Sequence, residues 1–227
     1  MYSFAQRADM RVIDEPLYGH YLRATGAKHP GREDIVAAMD CDGDAVMRDL
    51  LEQSARSSAT TLFIKHMAHH LVQIDLRFLE HTNNIFLIRD PREMLPSLTV
   101  QLPHATLTDT GLQKQWQLLQ DLRSNGQQAI VLDSRELLLD PESVLRQLCD
   151  RLGLAFENGM LHWTAGPRAE DGIWAKHWYQ AVHKSTGFSA YQAKTHFPAA
   201  LEDLLDECQP WYEQLFALAI RAQQQGD

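Results

Sequence analysis

Cysteines are few in this sequence, and long apolar runs are absent. The 227 residues include three cysteines, Cys41, Cys149 and Cys208, which lie far apart. An odd, scattered set argues against a disulfide framework and fits a reducing compartment. No apolar run approaches the roughly 18 residues of a membrane-spanning helix, and Met1 does not lead into a signal peptide. We therefore expect a cytoplasmic protein that does not span a membrane.

Basic stretches and glycine-rich phosphate loops are also missing. The net charge is -9, with 30 acidic and 21 basic residues, and no basic run stands out, which argues against nucleic-acid binding. No Gly-x-x-x-x-Gly-Lys-Ser sequence occurs, so a Walker-type loop is not visible. The apolar content of 44% and charged content of 22% are those of a globular protein. The length predicts a single domain over residues 1–227.

Short apolar runs alternate with segments of helical period along the chain. Buried strands are predicted at Arg11–Asp14, Thr61–Lys65, Ile85–Ile88 and Gln128–Asp133. Helices are predicted at Arg32–Met39, Asp44–Ser57, Ile74–Phe78, Leu112–Ser124, Pro141–Leu152 and, by pattern, across much of Gln192–Gln225. Strands that alternate with helices indicate βαβ units, and therefore an α/β fold with a parallel sheet.

The segment that follows the third strand has the features of a phosphate site. Arg89 follows the strand Ile85–Ile88 directly and is therefore expected at the carboxyl edge of the sheet, where ligands bind in open α/β folds. Asp90 is a predicted helix N-cap, and Glu93 completes a capping box. Ser97 lies eight residues after Arg89, about two turns into this helix, and could offer its hydroxyl to the same anion. An arginine beside free helix-terminal N–H groups predicts phosphate binding.

This arrangement of strand, Arg-Asp-Pro and helix resembles the 3'-phosphate-binding motif of sulfotransferases, which use 3'-phosphoadenosine-5'-phosphosulfate (PAPS). The stretch from Ser134 to Gly153, with an acidic loop, Leu-x-x-Asp-Pro and a capped helix, resembles the same family, and the likeness covers roughly residues 2–190. It implies a three-layer α/β/α sandwich of the P-loop-like sulfotransferase type, with a mainly parallel sheet. It also implies that Arg89 and Ser97 bind the 3'-phosphate of PAPS, that adenosine 3',5'-bisphosphate is the product, and that no metal takes part.

A second segment, Gly166–Trp174, resembles the loop that closes over the 3'-phosphate in this family. The resemblance implies that Arg168 supplies positive charge and that Gly172 lets backbone N–H groups approach the phosphate. Trp174 would pack either on the loop or on the adenine.

The resemblance also suggests which groups carry the chemistry. Lys65, at a strand end, is the candidate for stabilising negative charge on the sulfuryl or bridging oxygens. The family's usual histidine base lies two residues after this lysine, where the chain has Met67, whereas other branches use a glutamate near the first strand. The candidate bases are therefore Glu15 and His69, with His70 and then His66 behind them. The spacing of these histidines also suits a metal, but no third ligand is identifiable and none is expected.

One departure from the family concerns the start of the chain. The family begins with a strand and a loop that cradles the 5'-phosphosulfate, and residues 1–7 resemble the helix that follows them. We expect that the natural protein is longer and that its start was assigned late. The alternatives are a truncated or non-catalytic relative that binds a 3'-phosphorylated adenine nucleotide, and a kinase-like transferase. The small-molecule acceptor and any oligomeric partner stay open.

Overall fold

The computed structural model describes residues 1–56 and 61–223, which form two compact units. The first unit comprises Met1–Phe78 and Glu157–Phe188, and the second comprises Leu79–Phe156 and Ser189–Asp227. Each unit has a parallel sheet of its own. The mixed α/β class with parallel strands is therefore confirmed, whereas the single domain over residues 1–227 stays a prediction.

All strand pairs that the structure describes are parallel. The strands are β1 (Met10–Asp14), β2 (Thr61–Lys65), β3 (Asn84–Ile88), β4 (Ala129–Asp133) and β5 (Ala219–Ile220). In the first unit β1 pairs with β2, and in the second unit the order is β3-β4-β5. The four predicted strands are thus present within one residue of their expected bounds.

The helices are α1 (Tyr18–Thr25), α2 (Arg32–Ala38), α3 (Gly43–Arg56), α4 (Pro91–Gln101), α5 (Leu107–Thr110), α6 (Leu112–Ser124), α7 (Ser134–Leu139), α8 (Pro141–Leu152), α9 (Ala175–Trp178) and α10 (Glu202–Phe216). Four predicted helices, Arg32–Met39, Asp44–Ser57, Leu112–Ser124 and Pro141–Leu152, correspond to helices of the structure, whereas α1, α5, α7 and α9 were not predicted. Asp140 caps α8 by accepting from the amide of Ser143, and Gly153 ends it at a φ of 68°. Within the described ranges, no helix is long and apolar enough to cross a membrane.

Each unit buries its own apolar side chains. In the first unit Tyr18, Leu22 and Ile35 pack together with Trp174. In the second unit the fully buried side chains come from β3, α4, α6, α8 and α10; they include Ile88, Leu95, Leu119, Leu148 and Leu215. The core of the second unit is therefore built from the apolar faces of helices that pack on its parallel sheet, and that of the first unit from α1, α2 and Trp174.

Two helix predictions are wrong in extent. The helical pattern across Gln192–Gln225 forms a helix only at α10, and β5 follows it, because Ala219 and Ile220 pair with the buried strand β4. Ile74–Phe78 is replaced by a 3-10 helix over Leu76–His81. Ser57, Gln224 and Gln225, at the ends of predicted helices, lie outside the described residues.

Candidate active site

The carboxyl ends of β1 and β2 bring two carboxylates and a lysine together. Asp14 and Lys65 are the last residues of these strands and face each other in the parallel register. Lys65 Nζ lies 3.1 Å from Asp14 Oδ1 and also donates to Glu15 Oε1. The amide of Glu15 donates to the carbonyl of Lys65 at 2.9 Å, which extends the ladder by one residue. The strand ends therefore hold both carboxylates around one ammonium group.

A tyrosine that follows α9 completes this cluster. The Tyr179 oxygen accepts from Lys65 Nζ at 2.6 Å, and its O–H lies 2.8 Å from each oxygen of Asp14. The Asp14 side chain is fully buried, and that of Lys65 is 29% exposed. Burial works to lower the pKa of Lys65, but the surrounding charges, Glu15 first, outweigh it and raise the pKa above the usual 10.5. Lys65 is therefore cationic near neutral pH.

Glu15 has an unusual backbone conformation. Its φ is 40°, in the left-handed region, where a residue with a long side chain costs about 1–3 kcal/mol and persists only when its surroundings hold it. The residue is buried, and this burial raises the pKa of its carboxyl group, while Lys65 acts in the opposite direction. A strained, buried carboxylate beside an ammonium group is a candidate for proton transfer.

His70 packs close to Glu15. Its ring stacks on Tyr18 and Tyr21, with centroid distances of 4.7 and 4.5 Å. Its Nδ1 lies 3.8 Å from Glu15 Oε2, which is longer than a hydrogen bond. Burial, and after it the neighbouring His69, lowers the pKa of His70 well below 6.5. His70 is therefore a neutral ring near the glutamate.

The other two histidines have different surroundings. The ring of His69 meets Tyr21 edge-on at 5.3 Å and His70 at 4.6 Å. Both ring nitrogens of His66 are buried without a hydrogen-bond partner, and burial, followed by the charge of Lys65, lowers its pKa to about 4. Across residues 1–56 and 61–223, no group of His, Cys, Asp or Glu side chains is arranged to hold a metal ion.

The loop that carries Arg168 is held by the carboxylate of Asp171. This carboxylate accepts from the Tyr2 hydroxyl at 2.8 Å and from the Arg168 amide at 2.9 Å. His183 Nε2 lies 2.9 Å from it. The Arg168 guanidinium pairs with Glu170 at 3.3 Å and lies over the ring of Tyr2. Asp171 therefore holds this loop in place by hydrogen bonds, while the charge of Arg168 is paired with Glu170 in the same loop.

Gly172 and Trp174, in the same loop, face the β1 end and α1. The Gly172 amide lies 3.4 Å from Asp14 Oδ2. Trp174 is 4% exposed. Its indole lies on Gly172 and meets Tyr18 edge-on at 5.2 Å. Of the two packing positions expected for Trp174, the structure has the one on its own loop.

Replacing Gly172 by alanine is expected to destabilise the first unit. The added Cβ would lie 2.1 Å from an indole carbon of Trp174, and overpacking of this kind costs about 1–3 kcal/mol. Urea denaturation followed by tryptophan fluorescence measures the change. Gly159→Ala is the matched control, because its Cβ meets nothing within 4 Å. Equal stability of the two variants would contradict the packing described for Trp174.

In the second unit, Arg89 follows β3 directly and precedes α4. Its side chain is 44% exposed, and its Nε lies 3.9 Å from Glu93 Oε2. Ser97 is exposed on the second turn of α4, and its hydroxyl donates to the carbonyl of Met94 at 2.8 Å. Arg89 thus presents a guanidinium at the strand end, whereas the Ser97 hydroxyl is engaged within its own helix.

Only the N-cap half of the predicted capping box of α4 is present. Asp90 accepts from the amide of Arg92 at 2.8 Å, as an N-cap does. The Glu93 carboxylate does not return to the Asp90 amide, because it accepts the hydroxyl of Tyr191 at 2.5 Å.

Sequence reasoning missed three residues of these clusters. Asp14 ends a predicted strand beside Glu15, so its position at the sheet edge was readable. Tyr179 and Asp171 gave no such signal, because their partners Lys65 and Tyr2 are 114 and 169 residues away.

Comparison with known proteins relates the whole chain to one family. The family model described as "Sulfotransferase domain" matches residues 1–219. Branched-chain-amino-acid aminotransferase-like proteins 2 and 1 of Arabidopsis thaliana are 39% and 40% identical over 214 residues. The match covers 93% of this chain and 38% of each relative, so the chain spans about two fifths of their length. Those names describe much longer proteins.

Among solved structures, a sulfotransferase domain from the curacin biosynthetic pathway is similar, with a TM-score of 0.45 and 15% identity. That alignment covers 85% of this chain and 78% of the other. The family model carries the assignment, because it extends over nearly the whole sequence. The resemblance seen in the motifs is confirmed, and the chain belongs to the sulfotransferase domain family.

Proposed function

We propose that this chain transfers a sulfuryl group from PAPS to a hydroxyl or amine of a small acceptor. The observation that carries the proposal is the contact of Lys65 with Glu15 at the strand ends. Sulfuryl transfer needs a cation for the negative charge that develops and a base for the acceptor proton. This pair contains one group of each kind.

We assign the base to Glu15 rather than to His69 or His70. Burial raises the pKa of Glu15 above its usual value, which strengthens a carboxylate as a base. Burial has the opposite effect on the pKa of His70 and weakens it as a base. Both histidine rings pack against Tyr21. In this proposal the histidines support the position of Glu15 and do not take the proton.

Lys65 is assigned the electrostatic role. Its ammonium group is held by Asp14 and Tyr179 as well as by Glu15, so it is oriented before any ligand binds. A preoriented charge stabilises negative charge on transferring oxygens without further reorganisation.

Arg89 and Ser97 are assigned to the 3'-phosphate of PAPS. The Arg89 guanidinium is partly exposed, and its planar N–H groups match phosphate oxygens. Ser97 would exchange its bond to the Met94 carbonyl for one to the ligand. In the first unit Arg168 pairs with Glu170, so the phosphate contact that the resemblance implies for it stays a prediction, as do the roles of Gly172 and Trp174.

Calorimetric titration with adenosine 3',5'-bisphosphate tests the phosphate site. We expect binding that Arg89→Ala weakens by more than about tenfold, which corresponds to about 1.4 kcal/mol. Arg123→Ala is the matched control, because Arg123 is an exposed arginine of the second unit. An unchanged affinity in Arg89→Ala would contradict the assignment.

Turnover then separates the enzyme from the nucleotide-binding alternative. Release of adenosine 3',5'-bisphosphate from PAPS would be followed with panels of hydroxyl and amine acceptors. Transfer that is lost in Glu15→Gln, with nucleotide binding kept, supports the proposed chemistry. Nucleotide binding without transfer to any acceptor would instead support a non-catalytic relative.

A further inference from the structure

The segment after Ser189 is fastened to the first turn of α4. The Tyr191 hydroxyl donates to Glu93 Oε1 at 2.5 Å, and Lys194 Nζ donates to the Glu93 carbonyl at 2.7 Å. These two contacts to Glu93 hold the side chains of Tyr191 and Lys194 in place, although most residues of the segment lie in no helix or strand. Lys194 is thereby brought to the start of the helix that follows Arg89.

Two cation–π contacts strengthen the attachment. The guanidinium of Arg92 lies 5.4 Å from the ring centre of Phe197, and that of Arg135 lies 5.4 Å from the ring centre of Tyr191. Aromatic faces attract such cations. These rings therefore draw two further arginines to the same segment, in addition to Lys194.

Positive charges consequently gather around one glutamate. Arg89 approaches the carboxylate of Glu93 at 3.9 Å, and Lys194 bonds its backbone. Both cations therefore lie beside the same residue, and burial, followed by the charge of Arg89, lowers the pKa of Lys194. Both carboxylates at the start of α4 already accept hydrogen bonds. One oxygen of Glu93 accepts from Tyr191, and one oxygen of Asp90 accepts from the Arg92 amide.

We propose that Lys194 is a second phosphate-binding side chain, which acts with Arg89 and favours a phosphomonoester dianion. The inference rests on the proposed function, since Arg89 is there assigned to the 3'-phosphate. An anion with two charges relieves the repulsion between the two cations and gains an interaction with each. The guanidinium supplies a planar fork and the ammonium group a point charge.

Titrations with adenosine 3',5'-bisphosphate and with adenosine 5'-phosphate, which lacks the 3'-phosphate, test this inference. Lys194→Ala is expected to weaken binding of the bisphosphate by about five- to tenfold, or about 1–1.4 kcal/mol. It should leave binding of the monophosphate within about twofold. Lys194→Arg should restore most of the affinity, and Arg123→Ala should match the wild type. Circular dichroism of each variant checks that it is folded.

The outcomes separate this inference from the proposed function. If Arg89→Ala weakens bisphosphate binding and Lys194→Ala does not, Lys194 only fastens its segment and the inference is overturned. Equal weakening of both nucleotides by Lys194→Ala also overturns it, because the effect is then not on the 3'-phosphate. If Arg89→Ala has no effect, or if the bisphosphate does not bind, the phosphate site itself is wrong and the inference falls with it.

Discussion

Replacing Lys65 by methionine is expected to lower the free energy of unfolding by about 3 kcal/mol. The side chains of Asp14 and Glu15 are 0% and 8% exposed. The substitution removes the ammonium group that both carboxylates contact and leaves them buried without this partner. Breaking a buried pair on one side costs about 3–5 kcal/mol, and the lower end applies because Lys65 is 29% exposed. In a chain of this size the melting temperature should fall by roughly 6–12 °C.

Lys176→Met is the matched control for this prediction. Lys176 also belongs to the first unit, but its ion pair with Asp34 is 3.6 Å long and both side chains are more than half exposed. Such pairs contribute about 0–1 kcal/mol, so this variant should melt close to the wild type. Similar losses in the two lysine variants would show that the Lys65 cluster contributes no more than a surface pair.

A double-mutant cycle apportions the effect between the two carboxylates. In Glu15→Gln, an uncharged amide replaces one of the two buried carboxylates. Lys65→Met should therefore lower the free energy of unfolding by at least about 1 kcal/mol less in this background than in the wild type. The Asp14 carboxylate keeps Tyr179 as a donor in both backgrounds. Equal costs in the two backgrounds would mean that Glu15 and Lys65 do not interact, and would remove the observation on which the proposed chemistry rests.

The sequence predicts the strand ends because their signals are local. Apolar runs and caps define β1 to β4, and the parallel arrangement brings the residues after two neighbouring strands to one edge. Lys65 was singled out as the last residue of a strand and Glu15 by the resemblance to the sulfotransferase family, and the structure places them in contact. The bounds of α8 were equally readable, since Asp140 and Gly153 mark its two ends.

Other features depend on partners that are remote in sequence. The positive φ of Glu15 has no signature in its neighbours, because a glutamate rarely adopts it without tertiary support. Tyr191 displaces the expected capping role of Glu93 from 98 residues away. β5 consists of two residues that become a strand only by pairing with β4. Local patterns therefore locate the site, while long-range contacts decide its hydrogen bonding and electrostatics.

The contribution of His66 to the stability of the first unit is expected to be lost as the pH falls from 6.5 towards about 4. The pKa of His66 is lowered to about 4 in the folded chain from a usual 6.5, so the unfolded chain binds a proton that the folded chain excludes. A tenfold change in proton affinity corresponds to about 1.4 kcal/mol, and the loss attributable to His66 is therefore about 3 kcal/mol. This stabilisation is complete above 6.5 and is lost as the pH falls through this range. Urea denaturation at successive pH values measures it.

His66→Leu isolates the contribution of this histidine. Both ring nitrogens of His66 are buried without a partner, so an apolar side chain should be tolerated near neutral pH or should stabilise slightly. At acid pH the variant should exceed the wild type by about 2–3 kcal/mol. His104→Leu, at an exposed position, should keep the wild-type profile. An unchanged acid slope in His66→Leu would contradict the lowered pKa of His66 in the folded chain.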